Sequence, residues 1–317
     1  MRKIAIIGGT GFVGQHIASV LAKKGYWQIK ILTRRREDKR HLLVLPTAEV
    51  ITTDLYNQDA LNKQLKDCDT VINLVGILNE RGHDGEGFYK AHVELAEKVI
   101  EACQVNGIKR LLHMSALNAD AEKGSSHYLR TKGKAENLVL SADNIHTTSF
   151  KPSVIFGGND SFFNRFAQLL KLMPAFFPLA CPDAKFAPIW VNDVAHAMVN
   201  SIDRPDTFGK AYNLCGPKVY TLRELVEYTA KNLGLRRKVI GLSDSMSHLQ
   251  ARVFERIPGK PFSVDNYGSL QTDSICDANH LVGLGVEAHA IETIMPKFLA
   301  ATTPRDHYQR FRMASRR

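Results

Sequence analysis

The segment Lys3-Ile4-Ala5-Ile6-Ile7-Gly8-Gly9-Thr10-Gly11-Phe12-Val13-Gly14 is the strongest indication of how this chain folds. Its short apolar run, bounded by glycines, predicts a buried strand. A helical pattern follows over residues 16–24 and ends at Gly25. A strand, the spacing G-x-x-G-x-x-G and a helix, in that order, are the context of a dinucleotide-binding turn.

Each glycine of this turn has a predicted role. Gly8 allows a tight exit from the strand, Gly11 lets a pyrophosphate approach the backbone, and Gly14 lets the helix pack closely on the sheet. The free N–H groups at the start of the helix attract phosphate. The alternative is a glycine-rich turn with no ligand. It is disfavoured, because three glycines in one turn cost conformational entropy.

The first half of the chain alternates strands and helices, which predicts parallel strand pairing with helices on both faces. The predicted strands are 3–7, 29–33, 50–51, 70–75, 110–115 and 146–150, and the predicted helices are 16–24, 88–105 and 128–140. The fold class is therefore α/β, a Rossmann-type doubly wound parallel sheet. Residues 1–155 are assigned to an NAD(P)-binding domain. Residues 156–317 are assigned to a smaller mixed α/β substrate lobe, with some elements returning to the main sheet.

The second half has a different rhythm, with dense Phe and Pro between 156 and 188. Its predicted elements are strands near 186–191 and 211–215 and helices at 192–202 and 222–233. The apolar segment 169–180 is open to three interpretations: the wall of a pocket for a hydrophobic substrate, a contact with a membrane or partner, or an ordinary buried helix and loop. Asp193 is expected to cap the helix that begins beside it.

The composition narrows the class of protein. The formal net charge is +10, which favours anionic partners, and part of it lies in Arg34-Arg35-Arg36 and in residues 305–317. Five scattered cysteines argue against a disulfide framework and a zinc site, and indicate a reducing compartment. With no apparent leader and no apolar run of about 18 residues, we expect a cytoplasmic protein, at most peripheral to the inner membrane face.

The end of the second strand favours NADP(H) over NAD(H). NAD-binding proteins of this type carry an acidic residue about 20 residues after the motif, whereas this chain has Arg34 and Arg35 there. Guanidinium groups suit a 2′-phosphate. NAD and a merely solvated basic loop remain alternatives. The predicted cofactor-binding residues are Gly8, Thr10, Gly11, Phe12, Val13, Gly14, Arg34, Arg35, Asp54, Leu55, Val75, Gly76 and Lys132.

Tyr128 and Lys132 are four residues apart, which places both on one face of a helix. A nearby ammonium is expected to lower the pKa of a tyrosine and to suit it for acid–base chemistry beside a nicotinamide. With Ser115, they form the predicted catalytic set. His113, on the strand before Ser115, is interpreted as a hydrogen-bonded structural residue. The histidines show no metal-binding spacing.

The order of motifs resembles the extended short-chain dehydrogenase/reductases of the NAD-dependent epimerase/dehydratase type. The matching segments are Gly8 to Gly14, Tyr128-x-x-x-Lys132, Lys151-Pro152-Ser153-Val154-Ile155-Phe156-Gly157 and Val191-Asn192-Asp193-Val194-Ala195. Other segments are most similar to the atypical branch that includes the dinucleotide-binding accessory subunit of respiratory complex I. These are His113-Met114-Ser115-Ala116-Leu117, Ser153 to Gly157, Phe162-Phe163-Asn164-Arg165-Phe166 and residues 209–225.

This resemblance implies nucleotide binding more strongly than catalysis. Active extended members carry a catalytic Ser or Thr after the first Ser of the fifth strand, and this chain has Ala116 there. Three hypotheses follow. The first is an NADP(H)-dependent oxidoreductase or epimerase-like enzyme with an unknown substrate. The second is a non-catalytic nucleotide-binding subunit or assembly factor linked to respiratory complex I or quinone metabolism. The third is a nucleotide sensor, ranked last because nothing indicates nucleic-acid binding.

Overall fold

Seven strands form a parallel sheet in the part of the chain that the computed structural model describes, residues 1–34 and 42–299. With strands and helices numbered along the chain, the spatial order is β11 (Lys210–Leu214), β6 (His146–Pro152), β5 (Arg110–Met114), β4 (Thr70–Asn73), β1 (Arg2–Ile7), β2 (Trp27–Thr33) and β3 (Ala48–Thr52). All six neighbouring pairs run parallel. This order confirms the predicted Rossmann-type architecture.

Alternation along β1 separates two apolar cores, since successive side chains of a strand point to opposite faces. Ile4 and Ile6 pack on one face, while Ala5 and Ile7 pack on the other. The connecting helices of this half are α1 (Phe12–Lys24), α2 (Gln58–Leu65), α3 (Glu86–Tyr89), α4 (Leu95–Val105) and α5 (His127–Leu140). The carboxyl ends of the strands meet at one edge of the sheet, so the turn after β1 opens there.

Two features of this half differ from the predicted elements. Helix α2 was missed because it has only eight residues; the side chain of Asn57 caps it by accepting from the Ala60 N–H. The predicted helix 88–105 is interrupted by a π-helical turn, Lys90–Glu94. Such a turn shifts the helical face by one residue and is common at functional sites.

The second half builds a smaller lobe and also returns to the sheet. Its further elements are β7 (Ile155–Phe156), α6 (Phe162–Leu172), β8 (Phe176–Leu179), β9 (Lys185–Phe186), β10 (Ile189–Trp190), α7 (Val191–Asn200), β12 (Tyr220–Thr221), α8 (Leu222–Asn232), β13 (Lys238–Gly241), α9 (Asp244–Phe254), α10 (Val264–Ser269), α11 (Ile291–Ile294) and α12 (Pro296–Leu299). Strand β11 pairs with β6, and α7 packs against α1.

The apolar segment 169–180 divides between core and surface. Leu170, Phe177 and Leu179 are buried in the core of the smaller lobe. Leu172 and Phe176 are exposed. Within residues 1–34 and 42–299, no helix is both long and apolar enough to cross a membrane.

The scattered cysteines predicted no disulfide framework, but two of the five are paired. Cys215 and Cys276 form a disulfide, although 61 positions separate them. The fold brings them together because Ser274 bridges to Phe186, while the N–H of Gly216, just past β11, donates to the carbonyl of the neighbouring Ala187. The cysteine pattern therefore no longer argues for a reducing compartment.

Candidate functional site

The turn between β1 and α1 has the geometry that a pyrophosphate requires. Gly8 adopts φ +80°, in the left-handed region that favours glycine. The Gly11 N–H donates to the Gly8 carbonyl oxygen at 2.9 Å, which closes the turn. A β-carbon on Gly14 would overlap the backbone of Gly9, so the helix can approach the turn only with glycine there. The cradle thus fits a phosphate group at the start of α1.

The remaining residues of the predicted cradle lie in and around the same turn. Thr10 accepts a hydrogen bond at its carbonyl oxygen from the Gln15 side chain, at 2.8 Å. Phe12 lies against Gly157, which belongs to the second half of the chain. Val13 is partly buried against the core. No acidic residue occurs in the first turn of α1, so no fixed carboxylate opposes a bound anion there.

Two basic residues after β2, Arg34 and Arg35, were predicted to bind the cofactor. Arg34 is exposed and follows Thr33, the last residue of β2. Its charge lies close enough to Tyr56 to influence the pKa of that tyrosine. The predicted Arg35 lies outside the described residues. Arg34 is therefore the structurally placed candidate for contact with a 2′-phosphate.

The ends of β3 and β4 complete the rim of the crevice. Asp54 is exposed and accepts from the Tyr56 N–H at 2.9 Å, whereas Leu55 is buried in the core. Val75 and Gly76 follow β4. The Val75 carbonyl accepts from the Lys132 ammonium at 3.2 Å. The loop after β4 is thereby joined to α5, which carries the predicted catalytic pair.

Lys132 is buried below this loop and is held by two carbonyl groups. Its Nζ donates to the Met114 carbonyl at 2.9 Å as well as to Val75. Burial lowers the pKa of Lys132 to about 8, while Glu136 opposes that shift. The ammonium is thus fixed between the ends of β4 and β5.

The expected lowering of the Tyr128 pKa is wrong. Burial, with the negative charge of Asp265, raises this pKa to about 12. The ammonium of Lys132 does not counter the shift, since it points to the two backbone carbonyls. Among the described residues, the Tyr128 hydroxyl has no hydrogen-bond partner. A phenol in this state can donate a proton but is a poor base.

The end of β5 supplies two buried polar atoms without partners among the described residues. They are Oγ of Ser115 and Nε2 of His113. His113 Nδ1 lies 3.4 Å from the Asn73 amide, and burial lowers the pKa of its ring to about 3. The interpretation of His113 as hydrogen-bonded structure thus holds for one ring nitrogen only. Unsatisfied buried groups are rare and call for a ligand or water.

A second buried histidine, His92, belongs to the same site, and no motif in the sequence indicates it. It lies on the π-helical turn, with Nδ1 2.9 Å from the Thr131 hydroxyl. Its Nε2 accepts from the Ile77 N–H at 3.2 Å. Burial, followed by the charges of Lys132 and His113, lowers the pKa of His92 to about 2. His92 therefore ties the loop after β4 to the helix that carries Tyr128.

Two aspartates play roles that the sequence did not indicate. The Asp265 carboxylate accepts from the N–H groups of His127 and Tyr128, at 2.6 and 3.3 Å, and so caps α5 from another element. The predicted capping role of Asp193 is wrong. Its carboxylate instead accepts from the backbone N–H of His289 and lies 2.8 Å from the Nδ1 of that residue. Asp193 is already inside the first turn of α7, so it holds the distant segment.

The residues described here therefore present one crevice, bounded by the glycine turn, the loop after β4, the end of β5 and the start of α5. No group of three or more His, Cys, Asp or Glu side chains in the described ranges is arranged to hold a metal ion. A family model described as the 3-beta hydroxysteroid dehydrogenase/isomerase family matches residues 5–221, which include all of this crevice except Asp265. The chain belongs to this family. The predicted resemblance to the extended dehydrogenase/reductases is thereby confirmed.

Two relatives of this chain have names that point to different kinds of protein. The mitochondrial NADH dehydrogenase [ubiquinone] 1 alpha subcomplex subunit 9 of Arabidopsis thaliana is 30% identical over 292 residues, 87% of this chain and 71% of the relative. Ceramide reductase of Caulobacter vibrioides is 29% identical over 242 residues, 76% of this chain and 74% of the relative. The similarity thus extends to a respiratory-complex subunit and to an enzyme.

A solved structure supports the fold independently. MoeE5 in complex with UDP-glucose and NAD superposes with a TM-score of 0.70 over 94% of this chain and 96% of that chain, at 19% identity. At this level of identity the likeness shows the shared fold.

Proposed function

We propose that this chain holds a nicotinamide dinucleotide, NADP(H) in preference to NAD(H), and that it binds the nucleotide without rapid turnover. The turn from Gly8 to Gly14 carries the proposal. A β-carbon on Gly14 would meet the backbone of Gly9, so only glycine lets α1 begin against the turn with its free N–H groups available to a phosphate. NAD is named in the complex of the structural neighbour MoeE5. In this proposal, residues 1–155 bind the nucleotide and residues 156–317 provide the facing lobe.

The preference for NADP(H) rests on charge at the end of β2. Arg34 is exposed there, directly after the strand that borders the glycine turn. A guanidinium binds the 2′-phosphate of NADP(H) by charge-assisted hydrogen bonds. It cannot accept a hydrogen bond from the ribose 2′-hydroxyl of NAD(H), as a carboxylate would. In this proposal, Arg34 strengthens the binding of NADP(H) through its 2′-phosphate and does not affect the binding of NAD(H).

Three features of the crevice support binding without turnover. Ala116 replaces the hydroxyl that active relatives carry after Ser115, and it is itself buried. The pKa of Tyr128 is raised to about 12, so this phenol would accept a proton poorly. Lys132 is held by the Val75 and Met114 carbonyls. A bound nicotinamide would therefore meet no hydroxyl at the position of Ala116 to polarise a substrate carbonyl.

The biological setting in this proposal is a respiratory-chain or quinone-related assembly at a membrane surface. The Arabidopsis relative supports it, because its name places that protein in a respiratory NADH dehydrogenase. A tightly held nucleotide would stabilise the fold there, since ligand binding to the native state adds to stability.

The test is a titration of the purified chain with NADPH and NADH, followed by thermal midpoint and by absorbance at the nicotinamide band. Ligand at about 100 times its dissociation constant adds roughly 2.7 kcal/mol of stability. We expect a rise of several degrees with NADPH, a smaller one with NADH, and no oxidation of NADPH beyond a buffer control. No shift with either nucleotide, in protein shown by mass analysis to be nucleotide-free, would overturn the proposal.

A second candidate function is a reductase of a hydrophobic carbonyl compound, favoured by Tyr128 and Lys132 on one helix. Hydride would pass from NADPH to the carbonyl carbon, and a proton from the Tyr128 hydroxyl to the oxygen. The Caulobacter relative is named ceramide reductase. Ala116→Ser tests this route: the restored hydroxyl should raise NADPH oxidation with a long-chain ketone by about 100-fold, a typical gain from one positioned group. Tyr128→Phe in that background should remove the gain.

A further inference from the structure

Helix α9 carries an exposed apolar stripe that no other described element covers. Met246, Leu249 and Val253, with Ile257 one turn beyond the helix, follow each other at intervals of three and four residues. Between 43% and 51% of the surface of each of these residues is exposed. Residues at this spacing share one face of a helix. We call these four residues the α9 stripe.

The opposite face fixes the helix on the protein, so the stripe cannot turn inward. Ser247 and Ala251 are buried. The Ser247 hydroxyl accepts from the Cys181 N–H at 3.1 Å, and the Gln250 amide donates to the Pro178 carbonyl at 3.2 Å. The helix is therefore attached to the protein by these contacts, and the stripe lies on its solvent side.

Basic and acidic side chains near the stripe differ in their surroundings. Arg252 and Arg256 are exposed next to Val253 and Ile257 in sequence. The acidic residues of the same segment are directed to other partners. Asp244 accepts from the Tyr267 hydroxyl at 2.7 Å, and Glu255 lies 3.2 Å from Nδ1 of His83. Arg252 and Arg256 therefore give the surface next to Val253 and Ile257 a local positive charge.

We propose that the α9 stripe docks on the surface of an anionic lipid bilayer. An apolar helix face flanked by Arg or Lys is the pattern of helices that lie in a bilayer interface, with the cations at the headgroups. The chain's own basic residues at 305–317 are poor occupants, because Arg252 and Arg256 would repel them. The stripe would insert shallowly, since each residue keeps about half of its surface against the protein.

The stripe lies near one end of the candidate site. Nζ of Lys260 donates to the carbonyls of Arg81 and Gly82, and the Lys260 carbonyl accepts from Asn79. The chain just past the stripe is thus tied to the loop that follows Val75 and Gly76. The same loop exposes Leu78. If the proposed function holds, docking places this side of the nucleotide crevice at the bilayer; the docking itself does not depend on nucleotide binding.

The test is co-sedimentation of the full chain with vesicles of phosphatidylcholine alone and of phosphatidylcholine with phosphatidylglycerol. We expect binding to the anionic vesicles, weakened by salt. Leu249→Asp with Val253→Asp should abolish it. Arg252→Gln with Arg256→Gln should weaken it about 25-fold, from about fivefold for each cation near an anionic surface. Val105→Asp, an exposed apolar residue at the end of α4, is the matched control and should bind like the wild type.

Leu249→Trp provides a gain-of-signal measurement that does not depend on a disruptive charge. Its emission should shift to the blue with anionic vesicles, whereas the same mixture without phosphatidylglycerol should show no shift. Thermal midpoints and the NADPH titration of each variant establish that the fold is intact. The proposal would be overturned if the wild-type protein bound neither kind of vesicle, or if the stripe variants bound anionic vesicles as well as the wild type does. A dimer detected by light scattering that becomes monomeric in Leu249→Asp would also overturn it, since the stripe would then bind a second copy of the chain.

Discussion

Nδ1 of His92 lies 2.9 Å from the hydroxyl oxygen of Thr131, and Nε2 of the same ring accepts from the Ile77 N–H. The Thr131 hydroxyl donates to the His127 carbonyl, so Nδ1 of His92 carries the proton. Both ring nitrogens are thus satisfied only when the imidazole is neutral. The π-helical turn, the loop after β4 and α5 are joined through this one side chain.

A pH dependence of stability follows from the two buried histidines. Burial lowers the pKa of His92 to about 2 and that of His113 to about 3, against about 6.5 in an unfolded chain. Below pH 6.5 these two histidines become protonated in the unfolded chain but stay neutral in the folded chain. The free energy of unfolding therefore falls as the pH drops, by about 1.4 kcal/mol per pH unit for each ring.

Denaturant titrations between pH 7.5 and 5 measure this slope. His92→Gln and His113→Phe should each reduce the slope of the unfolding free energy against pH by about 1.4 kcal/mol per pH unit. His196→Gln, at an exposed histidine, should leave the slope unchanged. A wild-type slope that the double variant reproduces would contradict the assignment of the two rings as neutral in the folded state.

Substitution of Gly14 should abolish nucleotide binding. The side chain of Gly14→Val would meet the backbone of Gly9 and Gly8, so the glycine turn would have to shift. We expect a loss of about 1–3 kcal/mol of stability, typical of overpacking, and no thermal shift with NADPH. Gly283→Ala is the control, because a β-carbon there meets nothing within 4 Å. Retained NADPH binding in Gly14→Val would show that the pyrophosphate does not use this turn.

Arg34→Ala should remove the preference for NADPH. A hydrogen bond to a charged group contributes about 1.5–3 kcal/mol, so the affinity for NADPH should fall about 10- to 100-fold while that for NADH stays constant. Calorimetric titration of both nucleotides measures the ratio. Arg2→Ala is the control, since Arg2 starts β1 at the opposite edge of the sheet and pairs with Asp203. An equal loss for both nucleotides would assign Arg34 to another part of the ligand.

Loss of the disulfide should destabilise the chain. Closure of a loop of 61 positions by Cys215 and Cys276 contributes about 2–4 kcal/mol. Cys276→Ser should therefore lower the midpoint of chemical denaturation, and a reducing agent should lower the wild-type midpoint without affecting that variant. Cys181→Ser is the control, as Cys181 is free. Identical midpoints with and without reductant would mean that the bond does not form in solution.

Local patterns predicted most of the sheet and of the nucleotide cradle. The apolar run Ile4 to Ile7 and the glycines after it predicted β1, the turn and α1 because each signal lies within a few neighbouring residues. Tyr128 and Lys132 were correctly placed on one helix for the same reason. The direction of the Tyr128 pKa was not predictable, because it depends on burial and on Asp265, which is distant in sequence.

The parallel α/β fold, the position of the glycine turn, the basic end of β2 and the family resemblance were all predictable from the amino-acid sequence. These depend on hydrophobic periodicity and on backbone demands that single residues satisfy. Four features became visible only in the folded protein: the partner of Asp193, the pairing of Cys215 with Cys276, the role of His92 and the exposure of the α9 stripe. Each of these depends on which distant segments the sheet and the smaller lobe bring into contact, and on which faces they leave to solvent.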